Sequence, residues 1–378
     1  MLELQKYLIE NGVETSEEII ELMKLKKVIV KEEDGLLLFI YDLFADFKDP
    51  VVKECRGIIL YHEKDFPIAC YPFNKFGNYG ESYADTIDWN TAKVKEKVDG
   101  SLIKLWYDSR PSKQCWRWST NRSIDASKAL ISDTLSFMEV ISMTTEYTEI
   151  LDKMHTENGL DKEMTYMFEL VSMYNRVVIK YDVPRLYHIG SRNIRTLQED
   201  DSLRIINSIP KEYDLNSLDS VLLAAEKLNE NNSIKQEGFV VVDANYNRIK
   251  VKSPEYVAMH FMRDFNNTNI KKVLKLILSN DIEEYINYLP EMSHVVRYYQ
   301  FQIEELKYQA KCTCDIVKYM NSHNKSRKDI ALAIKDRKTK AFGFRYLDSN
   351  ISAEEQIANL DIVNLANYIT KYNPTKFK

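Results

Sequence analysis

Glycine is spent almost entirely in the first two thirds of this 378-residue chain: of ten glycines, only Gly343 lies beyond Gly238. Glycine marks turns and close backbone approaches, so the two regions must be built differently. Up to Lys252 the chain runs in short β-branched or aromatic stretches broken by turn signals. Val28-Ile29-Val30 and residues 36–41 flank Glu33-Asp34-Gly35, a hairpin signal. Residues 56–60, 102–106, 115–120, 165–171, 177–181, 187–190, 238–242 and 248–252 read as further strands. Helices are expected before Gly12, after the capping-box pair Thr15 and Glu18, from Ser123 through Met138, and over residues 215–230. From about residue 255 the apolar spacing is helical throughout: Val273, Leu276 and Ile277, then Ile282 and Ile286, then Val295 to Met320, and on to Ile369. The expectation is an α+β domain with an antiparallel sheet core over residues 1–254, followed by an all-α domain over 255–378.

Bulk charge narrows the function. The net charge is −5 although 29% of residues are charged, which fits a soluble protein and argues against general nucleic-acid binding. Any phosphate must be held by local basic patches. Five scattered cysteines fit a reducing compartment, and Cys312-Thr313-Cys314 reads as part of a helix. There is no signal-like apolar start, and no run nears the roughly 18 apolar residues of a membrane span. The expected location is the cytoplasm, with no membrane partner.

The chemistry-bearing residues sit at strand ends. Lys97-Val98-Asp99-Gly100 lies between two strand-like runs. A lysine there can be held against a ligand, and a neutral lysine amine is a nucleophile. Gly100 is expected at positive φ, with Asp99 bonding the turn's own amides. The plainer alternative is a solvated hairpin. Arg56 opens an apolar strand beside Gly57, as a phosphate site would require, or else it closes a strand-end ion pair. The loop 71–80 carries Lys75 among aromatics. Glu169 is a lone carboxylate in an apolar strand and needs a partner. Strand alternation puts Arg248, Lys250 and Lys252 on one face, and groups Glu237 with Phe239 and Val241. Such a hairpin can hold a metal–nucleotide, or it is an edge hairpin with solvated lysines. A cluster of cations from Lys325 to Lys340 marks one basic region in the helical part.

Taken in order, Arg56-Gly57, Lys97-Val98-Asp99-Gly100, Phe168-Glu169, Glu237-Gly238 and Lys250-Val251-Lys252 resemble the motifs of the covalent nucleotidyltransferases, the superfamily of polynucleotide ligases and capping enzymes. The strings Glu54-Cys55-Arg56-Gly57-Ile58, Pro72-Phe73-Asn74-Lys75-Phe76, Asn175-Arg176-Val177-Val178 and Glu237-Gly238-Phe239-Val240 narrow the resemblance to the bacteriophage RNA ligase 1 family. That resemblance implies an ATP-dependent RNA ligase with a nucleotidyltransferase (adenylation) domain and a helical RNA-specificity domain. It implies that Lys97 becomes lysyl-AMP, that AMP passes to an RNA 5′-phosphate, and that a 3′-hydroxyl then displaces AMP. Lys250 and Lys252 would bind the α-phosphate and assist catalysis. Arg56, Lys75 and Tyr41 would bind the outer phosphates of ATP, Glu169 a ribose hydroxyl, and Glu237 would place Mg²⁺, with Mn²⁺ as a substitute. The implied partners are RNA ends, among them a broken tRNA loop, and an end-healing kinase/phosphatase; the implied setting is a phage in its host cytoplasm, acting as a monomer. Two departures stand out: Ser119-Thr120-Asn121-Arg122-Ser123 lacks the expected basic residue followed by Gly-Ser, and the segment between Lys97 and Glu169 is long. A DNA ligase or capping enzyme would continue past Lys252 into a β-rich barrel, which the helical pattern disfavours. A degenerate nucleotide- or RNA-binding protein would not need Lys97, Glu237, Lys250 and Lys252 together.

Overall fold

The apolar runs before residue 253 become thirteen strands in three antiparallel sheets of a computed structural model. It describes residues 1–42, 44–156, 159–200, 202–228, 236–257, 270–278, 282, 286 and 293–372. The chain divides into two units, Met1–Met262 and Arg263–Lys378.

The first sheet has the order β1 (Val28–Glu33), β2 (Leu36–Tyr41), β3 (Arg56–Tyr61), β4 (Ile68–Cys70). Asp34 and Gly35 both take positive φ in the β1–β2 turn, as a tight two-residue hairpin demands. Helices Glu3–Glu10 and Ser16–Lys24 cover one face, packing Leu4, Leu8, Ile19 and Met23 against Leu37, Phe39, Ile58 and Leu60. The Thr15–Glu18 capping box forms as expected.

The second sheet contains β6 (Ser101–Asp108), β7 (Cys115–Thr120), β8 (Met164–Val171), β9 (Arg185–Asn193) and β10 (Glu199–Asp200), in the order β10-β9-β8-β6-β7. The third holds β5 (Lys93–Lys97), β11 (Glu212–Tyr213), β12 (Gly238–Val242) and β13 (Arg248–Lys252), in the order β11-β5-β12-β13. Helix Leu218–Lys227 closes its apolar face, with Val221 and Ala225 against Phe239, Val241, Ile249 and Val251. Between the second and third sheets lie Phe73, Phe76, Leu102 and Met167.

Several expectations change. Lys97 and Ser101 do not flank a hairpin turn: β5 pairs with β11 and β12, and β6 with β7 and β8, so the chain crosses between sheets there. Gly100 is not at positive φ. It is glycine because a Cβ would stand 2.4 Å from the Leu170 carbonyl oxygen. Asp99 does not bond its own turn; its Oδ2 accepts from Val178 N (3.0 Å) and Ile179 N (2.8 Å), and Tyr256 Oη donates to its Oδ1 at 2.7 Å. Those bonds hold residues 177–181 as a loop, despite their β-branched composition. The helix expected from Ser123 starts later, at Phe137–Ser142, because Ser136 with Glu139 makes the capping box. Ser123 instead donates to the Asp125 carbonyl.

Beyond Met262 every described element is a helix: Ile270–Leu278, Ser293–Ser322, Arg327–Ile334, Lys340–Ser349, Ala353–Ala358 and Ile362–Tyr372. Five of them share a core that includes Leu274, Ile303, Leu306, Ala310, Phe342 and Leu365, while Ile330 and Ile334 of Arg327–Ile334 pack on Val317 in a separate cluster. Residues 229–230 of the helix expected over 215–230, and most of the segment around Ile282 and Ile286, lie outside the described residues. Cys312 and Cys314 ride on the long helix as free thiols. Among the described residues no helix is long and apolar enough to cross a membrane.

The close approach at Gly100 gives a test. Gly100→Ala should cost about 2 kcal/mol, since the facing atom is backbone and cannot swing aside. The thermal midpoint of the purified variant checks this, and a midpoint equal to wild type would contradict the reading.

Candidate active site

Register places the cations. Across β5, β12 and β13, Lys97 faces Gly238 and Lys252, Lys95 faces Val240 and Lys250, and Lys93 faces Val242 and Arg248. Residues opposite one another in a sheet share a face. Lys93, Lys95, Lys97, Arg248, Lys250 and Lys252 therefore stand on one face, while Val94, Phe239, Val241, Ile249 and Val251 fill the other. The β13 lysines were legible from strand period. Lys95, which is buried, was missed, although Lys93-x-Lys95-x-Lys97 has the same period.

A cavity of about 250 Å³ opens on this face, lined by Arg56, Lys95, Lys97, Glu169 and Lys250 together with Phe73, Phe76 and Asn121. Lys97 Nζ donates to Glu237 Oε2 at 2.6 Å. Lys252 Nζ stands 3.9 Å from Glu237 Oε1. Alternation alone would have grouped Glu237 with Phe239 on the apolar face. Gly238, at φ +155°, breaks the alternation there and lets the carboxylate meet the two lysines.

Arg56 forms no ion pair among the described residues, and its buried Nη1 has no hydrogen-bond partner. That removes the strand-end ion pair as its explanation. Its guanidinium lies 5.2 Å from the Phe76 ring centre, and Lys250 Nζ lies 4.7 Å from the same ring. Burial, then Lys75, Arg56, Lys252 and Lys97, push the Lys250 amine well below its ordinary range. A buried cation cluster lacking enough carboxylates is a site for an anionic ligand.

Lys75 points into an adjoining cleft instead, boxed by the rings of Phe47 (4.5 Å), Tyr41 (5.3 Å) and Tyr83 (5.8 Å). Tyr41 is a wall of that box and does not line the cavity. Asn121 occupies the position where the sequence departs from the expected motif. Its buried Oδ1 has no partner, and its backbone packs so closely on Gly57 (φ +81°) that a Cβ there would meet it at 3.0 Å. Arg122 lies outside the cavity, in a neighbouring cleft with Lys31 and Lys128. Asn175 Nδ2 donates to Ser101 Oγ (3.0 Å) and to the Leu170 carbonyl (2.7 Å), bracing β6 against β8 a few residues from Lys97.

Among the described residues no group of three or more acidic, histidine or cysteine side chains could hold a metal ion. Glu237 still suits one in the way magnesium is often bound, by a single carboxylate with phosphate oxygens and water completing the shell.

Glu169 faces the cavity with no ion pair or hydrogen bond to its carboxyl among the described residues. Burial raises its pKa to about 7, against the pull of Lys97. An unfolded glutamate ionises near about 4.3. The folded form therefore holds the proton longer, and the stability tied to it is complete below about pH 4 and lost as pH rises through about 7. Glu169→Gln removes that loss. Its thermal midpoint relative to wild type should rise between pH 5 and pH 8 by about 2–4 °C, the shift that roughly 2–3 kcal/mol produces in a chain of this size. A difference that stays constant with pH would refute the assignment.

The RNA ligase family model matches residues 54–256, more than half of the chain and the span that carries the cavity. A protein of Autographa californica nuclear polyhedrosis virus, provisionally named a bifunctional polynucleotide kinase/RNA ligase, is 29% identical over 79% of this chain and 43% of its own length. This chain thus spans less than half of that relative. An RNA ligase of Rhodothermus phage RM378 is 24% identical over 91% of this chain and 93% of its own. Among solved structures, an archaeal ATP-dependent RNA ligase overlays with a TM-score of 0.45 at 13% identity, over 82% of this chain and 83% of that one. On the family match, the chain belongs to the RNA ligase family that includes the bacteriophage RNA ligases.

Proposed function

We propose that this chain is an ATP-dependent RNA ligase that joins 5′-phosphate and 3′-hydroxyl RNA ends through lysyl-AMP at Lys97 and an RNA-adenylate. The observation that carries the reading is Lys97 held by Glu237 at the edge of a cavity in which Arg56 and Lys250 have no carboxylate partner among the described residues. Adenylation forms a P–N bond from Nζ to the α-phosphorus and breaks the P–O bond to pyrophosphate, which leaves with the electron pair. Glu237 Oε2, at 2.6 Å, is the group placed to take the proton from the amine. Lys250 and Lys252 stabilise the charge that builds on the phosphate oxygens. Arg56 and Lys75 hold the outer phosphates, with Tyr41 acting through Lys75. Glu169 takes a ribose hydroxyl. Magnesium, held by Glu237 together with the nucleotide's phosphates, would neutralise phosphate charge when bound; Mn²⁺ would serve in its place.

In the second step an oxygen of the RNA 5′-phosphate displaces the lysine, which regains its proton. In the third, the 3′-hydroxyl attacks the same RNA phosphorus and AMP leaves. We assign these steps to the adenylation domain, residues 1–254, and RNA choice to the helical domain, 255–378. In that domain Lys325, Lys328, Lys335 and Lys338 lie exposed along or beside the helix Arg327–Ile334, while Arg327 is tied to Asp348 at 2.5 Å. This patch suits the phosphates of a structured RNA such as a broken tRNA loop. The name of the baculovirus relative couples kinase to ligase, which supports an end-healing partner for this chain. A monomer acting in the cytoplasm completes the reading.

Incubation with α-labelled ATP and Mg²⁺, after pyrophosphate treatment to strip bound AMP, should label the wild-type chain on a denaturing gel. Lys97→Ala should take no label. An unlabelled wild type would remove the ligase reading and favour a degenerate binding protein.

A further inference from the structure

We infer that the cleft beside the nucleotide cavity is one phosphate subsite used twice: pyrophosphate leaves through it, and the RNA 5′-phosphate then takes its place. The inference rests on the ligase reading above and adds where the RNA end binds.

The cleft has a volume of about 640 Å³ and is lined by Lys53, Lys75, Arg192, Asn247 and Arg248. Phe76 and Arg248 line both spaces, so the cleft adjoins the cavity. Its cations outnumber its carboxylates. Asp85 meets Lys53 at 3.5 Å, and Glu199 is shared between Arg192 and Arg248. Lys75 forms no ion pair among the described residues, and aromatic rings hold its ammonium in place. Arg192 is only 6% exposed. Its Nη1 is fixed by the Pro72 carbonyl (2.8 Å) and Asn74 Oδ1 (3.1 Å), while its buried Nε has no partner. Lys53 and Lys75 come from different segments and are joined by a backbone hydrogen bond, Lys75 N to Lys53 O, at 2.8 Å.

The sheet gives the direction. Lys97, Glu237 and Lys252 stand at one end of the cationic face, Lys250 in the middle, and Arg248 at the other end. The four residue steps from Lys252 to Arg248 cover about 13 Å of strand. An α-phosphate on Lys250 is thus flanked by the nucleophile on one side and the cleft on the other. Phosphoryl displacement keeps the attacking and leaving atoms roughly in line. When Lys97 Nζ bonds the α-phosphorus, pyrophosphate must depart on the side away from Lys97, toward Arg248. When the P–N bond later breaks, the incoming RNA phosphate oxygen must arrive opposite Nζ, on that same side. One set of cations therefore serves a diphosphate leaving group and a phosphate monoester nucleophile.

The test uses isolated wild-type lysyl-AMP enzyme and two variants away from the cavity. Lys53→Gln removes one cation, and Ala244→Glu adds a carboxylate at an exposed position on the cleft. Two reactions are followed: release of AMP as ATP by added pyrophosphate, and transfer of AMP to a 5′-phosphorylated RNA oligonucleotide. Both should fall together, by about tenfold in kcat/KM, as loss or reversal of one close charge contact implies. Thermal midpoints near wild type show that the variants fold, and Ala244→Glu serves if Lys53→Gln does not. A folded variant that slows one reaction without the other, or neither, overturns the shared subsite. A wild-type chain that never accepts AMP overturns the ligase reading and this inference with it.

Discussion

Repulsion among like charges is the constraint to which the rest of the first unit answers. Lys95, Lys97, Lys250, Lys252, Arg56 and Arg248 crowd into one cavity and its margins, where water cannot screen them fully. The fold offsets this cost in three ways. Carboxylates are supplied at the margins: Glu237 for Lys97 and Lys252, Glu199 for Arg248, Glu212 within 3.9 Å of Lys95. Aromatic faces stand in for anions at the centre, where Phe76 lies against both Arg56 and Lys250. Lys250 itself is driven toward its neutral form. What remains uncompensated among the described residues is concentrated on Arg56 and Lys75, and such a surplus of positive charge favours an anionic ligand.

Rigidity at Lys97 comes from a joint between sheets. Lys97 ends a strand of the third sheet, and Ser101 begins one of the second. The three residues between them cannot follow either ladder, so other groups must satisfy them. Asp99 does this by taking two amides of the 177–181 loop and the Tyr256 hydroxyl, which ties the crossing point to residues distant in sequence. Gly100 lets the crossing press against the Leu170 carbonyl, and Asn175 clamps that carbonyl and Ser101 from the other side. Lys97 is positioned by a polar network whose members lie far apart in the chain. The Asp99 bonds are made in a buried setting, where a lost partner is costly.

Local signals read well where the structure is local. The Asp34-Gly35 hairpin, the Thr15–Glu18 capping box and the alternation that aligns Arg248, Lys250 and Lys252 depend on neighbours a few residues apart, and all were visible in the sequence. Residues 177–181 failed for the opposite reason. Their β-branched side chains favour a strand, but their amides are claimed by Asp99 from across the chain, which no local pattern records. Glu237 failed because strand period assumes regular φ, and Gly238 breaks it. Lys95 was legible and overlooked: its spacing from Lys97 was on the page, but only the pairing of β5 with β12 shows that both lysines join the β13 face. The sequence-level motifs brought Arg56, Lys97, Glu169 and Lys250 to one cavity, yet the displacement of Lys75 into the next cleft, with Tyr41 packed against it, is a matter of tertiary packing.

Glu169 and Lys250 show how such a site tolerates being empty. Burial raises the Glu169 carboxyl to about 7 and depresses the Lys250 amine well below its ordinary range, so burial disfavours the charged form of each. Neutral groups cost less to hold in a low-dielectric cavity than two charges whose attraction must repay both desolvations. A phosphate beside Lys250 reverses the balance for the amine, because an adjacent anion favours the ammonium. An anion there would thus oppose the burial and the neighbouring cations that depress the amine.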